Sequence, residues 1–237
     1  MVSTGWELWP VNRRDRVSQR EYSALEEAIN AATHGIGAVL SLPGLIILIA
    51  GAADTDKPWG VLAVTLFGLT LFLVYLSSTI HHALRNPEAK RIFLLCDHCA
   101  IFLLIAGTFT PFAVFLLPEE IGRELLATVW VMALIGVALK VLLFFAQRFE
   151  RFDRLCVIIY MGMGWYCLAV SGDFLLESLP GKAFLWLIGG GLLYTVGVIF
   201  YLWRSLRFGH ALWHLLSLSG SACHFICILL YVVPAPV

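Results

Sequence analysis

Seven apolar stretches, each long enough to cross a bilayer as a helix, follow one another along this chain and leave little room for anything else. A hydrocarbon core about 30 Å thick needs about 20 apolar residues per helix. Residues 28–51, 59–84, 92–117, 125–147, 155–176, 183–203 and 208–233 meet that need. In hydrocarbon the backbone must satisfy its own hydrogen bonds, which a helix does within one segment. The connections are short and most carry charge or proline: DTDKP, RNPEAKR, PEEIGRE, RFERFDR, LESLPGK and RSLRF. The expected fold is therefore an all-α membrane protein, a seven-transmembrane-helix bundle. Residues 1–26 are read as a tail and juxtamembrane segment, and residues 27–237 as a single seven-helix domain.

Composition agrees where it bears on class. The chain is 60% hydrophobic and 14% charged, whereas soluble domains carry about 25% charged residues. Its formal net charge is zero, so it lacks the basic footprint of a nucleic-acid binder. The six cysteines sit in or beside apolar runs, unlike the polar-loop placement of a disulfide framework. Cys96 and Cys99 have the spacing of a zinc-ribbon pair, but no second pair accompanies them.

With seven spans the loops alternate sides, and the basic residues are uneven between them. One side holds Arg13, Arg14, Arg16 and Arg20, then Arg85, Lys90 and Arg91, then Arg148, Arg151 and Arg154, then Arg204 and Arg207. The other holds only Lys57, Arg123 and Lys182. Twelve against three predicts a cytoplasmic N-terminus and an outside C-terminus by the positive-inside rule. The expected location is therefore a membrane that the chain crosses several times, with its N-terminal side toward the cytoplasm. Lys140, within the fourth span, is expected to snorkel to the nearby cytoplasmic interface.

The stretch LCDHCA at the head of the third span then poses a problem, because the carboxylate of Asp97 beside hydrocarbon is costly without a partner. The alternation of spans supplies candidates at the same depth. The second span ends in SSTIHHAL, with Ser77, Ser78, His81 and His82, and the seventh begins with GHALWHLLSLSGSACHF, with His210 and His214. His210 and His214 are four residues apart, so they share a helix face and can hold one metal together. Ser217, Ser221 and His224 continue that stripe, Ser78 and His82 are likewise spaced by four, and the first span adds Glu27, Asn30 and His34 on one face. Polar stripes within a bundle face its interior. Clustered imidazoles with a carboxylate and no thiolate pairs suit zinc.

At these residues the chain resembles the hemolysin III family, the bacterial branch of the progestin and adipoQ receptor (PAQR) superfamily. The resemblance rests on EEAINAATHGIGAVL (26–40), YLSSTIHHAL (75–84), LCDHCAIFLLIAGTFTPF (95–112) and HALWHLLSLSGSACHF (210–225), and so runs from the first span to the last. It implies that His82, His210 and His214 hold zinc, with Ser78 and Asp97 close to the ion as the catalytic pair. His81 stands where bacterial members commonly have tyrosine, which makes Ser77 and His81 a competing pair one residue out of register. His98, Glu27, Asn30, His34, Ser217 and His224 are candidates for outer positions around the site or its pocket.

Three histidines leave a tetrahedral ion one open position, the pattern of catalytic rather than structural zinc. Asp97 is placed to orient water and take its proton, and Ser78 to steady the carbonyl oxygen. The expected activity is hydrolysis of a lipid amide or ester at the cytoplasmic membrane face, with a membrane lipid as substrate or ligand. Two other classes fit the same chain, a lipid-homeostasis sensor that binds without turnover and a pore-forming cytolysin, and each reading leaves open a purely structural zinc that pins the second and seventh spans together. A pore needs a continuous polar lining, whereas the stripes crowd one half of the bundle.

Overall fold

The computed structural model describes residues 22–149 and 152–234. Among these are seven long apolar helices: α1 (Ala24–Ala53), α2 (Gly60–Ala83), α3 (Pro87–Leu116), α4 (Glu119–Phe145), α5 (Asp153–Ser178), α6 (Gly181–Leu202) and α7 (Gly209–Cys227). The last continues as a π-helical turn over Ile228–Val232. Each is long and apolar enough to cross a membrane, so the expected seven-helix bundle is the fold. The tail at residues 1–21, with its four arginines, lies outside the described residues, as does Arg151.

Local chemistry explains where the helices begin. Ser23 and Glu26 form a capping box at the start of α1, each side chain binding the other's backbone N–H. Asn86 caps α3 by accepting from the Ala89 N–H at 3.0 Å, and Pro87 follows at the first helical position. Pro118 and Pro180 precede α4 and α6. α2 and α7 have no side-chain cap of their own and start after Trp59 and Phe208, both in the left-handed region.

The bundle has the polarity of a membrane protein. Large apolar side chains such as Val39, Ile46, Ile135, Ile158 and Leu185 point outward. Asn30, His34, Ser78, His82, His214 and Ser221 are buried. α3 is the most enclosed helix and α6 the least. Close approaches between helices use glycine. A Cβ on Gly37 would lie 2.8 Å from the Tyr75 ring, which brings α1 and α2 together beside the polar interior.

Lys140 does not snorkel. It is completely buried, with its ammonium 3.4 Å from Asp153 Oδ1 and 4.4 Å from the centre of the Phe149 ring. Asp153 also accepts from Tyr201 Oη at 2.6 Å and lies 3.2 Å from His98 Nε2 and 3.9 Å from Arg204 Nη2. One carboxylate at the start of α5 thereby joins α3, α4, α5 and α6. A buried carboxylate with several cationic and hydroxyl partners is the arrangement that makes a charge tolerable in low dielectric.

Candidate metal centre

His82, His210 and His214 come together, one ring nitrogen from each lying within 4.8 Å of the others. His82 ends α2, while His210 and His214 open α7 on one face. His82 and His214 are buried and His210 is partly exposed. Nε2 of His210 is 3.2 Å from Nε2 of His82. His81 points elsewhere: its Nδ1 is 2.9 Å from the Lys90 carbonyl oxygen, and Ser77 Oγ donates back to the Leu73 carbonyl at 2.7 Å. The pair one residue out of register thus serves the helix end and the turn into α3.

Hydrogen-bond partners settle which ring nitrogens carry protons. His82 Nδ1 faces a carboxylate oxygen of Glu27 at 2.6 Å, so it donates. His214 Nδ1 faces the backbone carbonyl of Asn30 at 3.1 Å. Thr33 Oγ1, also 3.1 Å from that nitrogen, gives its own proton to the same carbonyl, so His214 Nδ1 donates as well. A neutral imidazole that donates from Nδ1 presents a lone pair at Nε2. This is how outer partners orient metal-binding histidines in general. The residues present therefore fit a divalent ion of the kind that imidazoles prefer, and the protein contains a histidine-rich site that could bind metal.

The two acidic residues at the start of α1 split the work of building it. Glu27 bridges His82 and Lys90, with its other oxygen 2.8 Å from Lys90 Nζ. Glu26 accepts from Ser23 N and Oγ through Oε2, and through Oε1 from the backbone N–H of Phe208 at 3.2 Å. That second bond supplies α7 with the N-terminal cap it lacks, two residues before His210. Tyr22 covers the mouth, its ring 5.2 Å from that of His210 and 6.3 Å from that of His82.

Asp97 is partly buried, and the Ser78 side chain lies beside its carboxylate. Ser78 itself is fully buried, and beyond this neighbour its hydroxyl meets no partner in good hydrogen-bond geometry among the described residues. His34 stacks on His214, ring centres 3.5 Å apart and planes 11° from parallel. Asn30 lies one turn before it on the same face of α1. Deeper in, Ser221 Oγ accepts from Tyr75 Oη at 2.6 Å and pairs with the Tyr194 hydroxyl. Two candidates lie outside this group. His98 gives one nitrogen to the Leu94 carbonyl at 2.8 Å and turns the other to Asp153. His224 pairs with the Leu187 carbonyl at 3.1 Å, against a bare Gly190.

A family model described as Haemolysin-III related matches residues 22–225, a range that contains every residue of this centre. The chain belongs to the hemolysin III family. It is 47% identical over 209 residues to Hemolysin-3 of Bacillus cereus, covering 88% of this chain and 93% of that protein. It is 43% identical over 215 residues to the Hemolysin-3 homolog of Bacillus subtilis (strain 168), covering 91% and 98%. More distantly, it is 25% identical over 218 residues to the monocyte to macrophage differentiation factor of Homo sapiens, covering 89% and 86%. That relative fits the wider PAQR superfamily.

Sequence reasoning missed Glu26, Lys90, Thr33, Tyr22, Asp153 and Tyr201. Paired acids at a helix start were a usable signal for Glu26. The other contacts join residues far apart in the chain and carry no spacing signature.

Proposed function

We propose that this member of the hemolysin III family is a zinc-dependent hydrolase of a lipid amide or ester at the cytoplasmic face of the plasma membrane. The observation that carries the reading is the pair of Nε2 lone pairs, on His82 and His214, locked toward His210 by Glu27 and Asn30. His82, His210 and His214 would hold the ion, which when bound polarises a carbonyl and activates water. Asp97 takes the water proton and passes it to the leaving nitrogen or oxygen. Ser78 donates its unused hydroxyl proton to the carbonyl oxygen as charge builds there. The water oxygen bonds to the acyl carbon and the bond from that carbon to the leaving nitrogen or oxygen breaks, giving a carboxylic acid and an amine or alcohol. The basic residues Arg85, Lys90, Arg91, Arg148, Arg154, Arg204 and Arg207 cluster at the loops on the side of this centre, which supports its placement on the cytoplasmic side.

The name of the Bacillus cereus relative invites a cytolytic reading. Against it, the polar interior ends near Tyr75, Ser221 and Tyr194. Ser41, Thr70, Thr108, Thr110 and Ser171 turn their hydroxyls back to carbonyls of their own helices. The deciding experiment measures zinc content and fatty-acid release from a panel of amide and ester lipids. Wild type should hold about one zinc per chain and turn over a panel member, and Asp97→Asn should keep zinc and lose turnover. Stoichiometric zinc without release from any lipid would refute the hydrolase and favour a sensor.

A further inference from the structure

Among the described residues, all six buried side-chain nitrogen and oxygen atoms without a hydrogen-bond partner belong to four side chains: both amide atoms of Asn30, both ring nitrogens of His34, and the hydroxyls of Ser78 and Ser217. These residues are only 1%, 5%, 0% and 7% exposed. Buried polar atoms rarely go unpaired, and unpaired atoms that cluster point to a bound partner.

The four lie in one layer. His34 stacks on His214 and meets Tyr75 edge-on with ring centres 5.1 Å apart. Tyr75 binds Ser221, and Ser217 sits on α7 one turn from each of His214 and Ser221. Ser78 lies between Tyr75 and His82 on α2. Asn30 precedes His34 by one turn, and its carbonyl binds His214. Ser78 and Ser217 thus sit one turn inward of His82 and His214, Asn30 and His34 flank His214 from α1, and the satisfied Tyr75–Ser221–Tyr194 cluster lies beyond them.

Its chemistry is uniform. Each of the four groups is uncharged, and each can both donate and accept. None of the four is itself a carboxylate or an ammonium, and the Asp97 carboxylate beside Ser78 can accept from a water held there. They approach from α1, α2 and α7, which suits small ligands that donate and accept on all sides. We infer that this layer holds a cluster of ordered water molecules, which bridge Asn30, His34, Ser78 and Ser217 and supply the water consumed at the three-histidine centre. The supply role rests on the hydrolase reading, with one water entering per bond cleaved, its oxygen going to the acid product. The occupancy does not rest on it.

X-ray hydroxyl-radical footprinting of the full chain in lipid nanodiscs, with and without zinc, tests the inference, because radicals form from bound water. After correction for intrinsic reactivity and exposure, His34 and Tyr75 should be oxidised several-fold faster than Phe67 and Phe112, which are also buried. Asn30→Leu combined with Ser217→Ala should lower that labelling. Labelling of His34 and Tyr75 no faster than that of the two phenylalanines in wild type overturns the inference, whether the layer is dry or filled by a lipid hydroxyl. So does a double variant that is more heat-stable with labelling unchanged. Zinc content of the same wild-type samples reports separately on the metal reading, so the two can fail independently.

Discussion

Glu27 offers the sharpest test of how the centre is built. Its carboxylate lies 2.6 Å from His82 Nδ1 and 2.8 Å from Lys90 Nζ, with the Glu27 side chain 22% exposed. A hydrogen bond to a charged group is worth about 1.5–3 kcal/mol and a neutral one about 0.5–1.5 kcal/mol. Glu27→Gln keeps an acceptor for the His82 N–H but removes the charge, a loss of about 1–1.5 kcal/mol. That converts to roughly a 5- to 13-fold weaker zinc affinity. Glu27→Ala removes the acceptor as well, frees the ring to rotate, and should weaken zinc by about 10- to 100-fold. The assay is competition for zinc against a fluorescent chelator, with purified protein in nanodiscs at fixed pH and salt. His81→Ala serves as control, since that ring faces the Lys90 carbonyl, and should change affinity less than about 2-fold. If both Glu27 variants bind zinc as the wild type does, the carboxylate does not orient His82, and the tautomer argument for the centre fails with it.

Other outcomes follow from the same contacts. His82→Ala, His210→Ala and His214→Ala should each lose bound zinc by elemental analysis while the protein still purifies as a folded monodisperse species. Asp153→Leu leaves Lys140 buried without its carboxylate and should destabilise the bundle by about 3–5 kcal/mol. In detergent unfolding followed by tryptophan fluorescence, the double change Lys140→Met with Asp153→Leu should recover part of that loss, the remainder reflecting Tyr201 and His98 left without their acceptor. Glu26→Ala removes the cap from α7 and half of the capping box of α1, and should cost about 2 kcal/mol, seen as a lower unfolding midpoint. A Cβ at Gly190 meets the His224 ring, so Gly190→Val should lower thermal stability well beyond Gly189→Val, where a Cβ meets nothing within 4 Å.

The spans were legible because hydrocarbon imposes a length on every helix, and the ends of α2, α3 and α7 follow from simple alternation. The contest between His81 and His82 was not settled by spacing, since each forms an i, i+4 pair with a serine. One residue is about 100° of helix rotation, and the partners that sort the two rings, Glu27 for His82 and the Lys90 carbonyl for His81, come from other helices. Asp153 reads in the sequence as a loop charge at the head of an apolar run. Its position opposite Lys140, His98 and Tyr201 depends on how α3 to α6 assemble, which no local pattern records. His224 reads as a member of the α7 stripe because period alone cannot tell a ring that faces the centre from one that bonds a neighbouring backbone.

Glu26 ties the start of the first helix to the start of the last, and the histidine trio draws on the second helix and the last. A ribosome makes these parts in order, so nothing in the centre can close until the seventh helix has entered the membrane. Metal capture would then mark the completed chain: a nascent protein halted after six helices would display His82 and Glu27 but offer an ion no chelate.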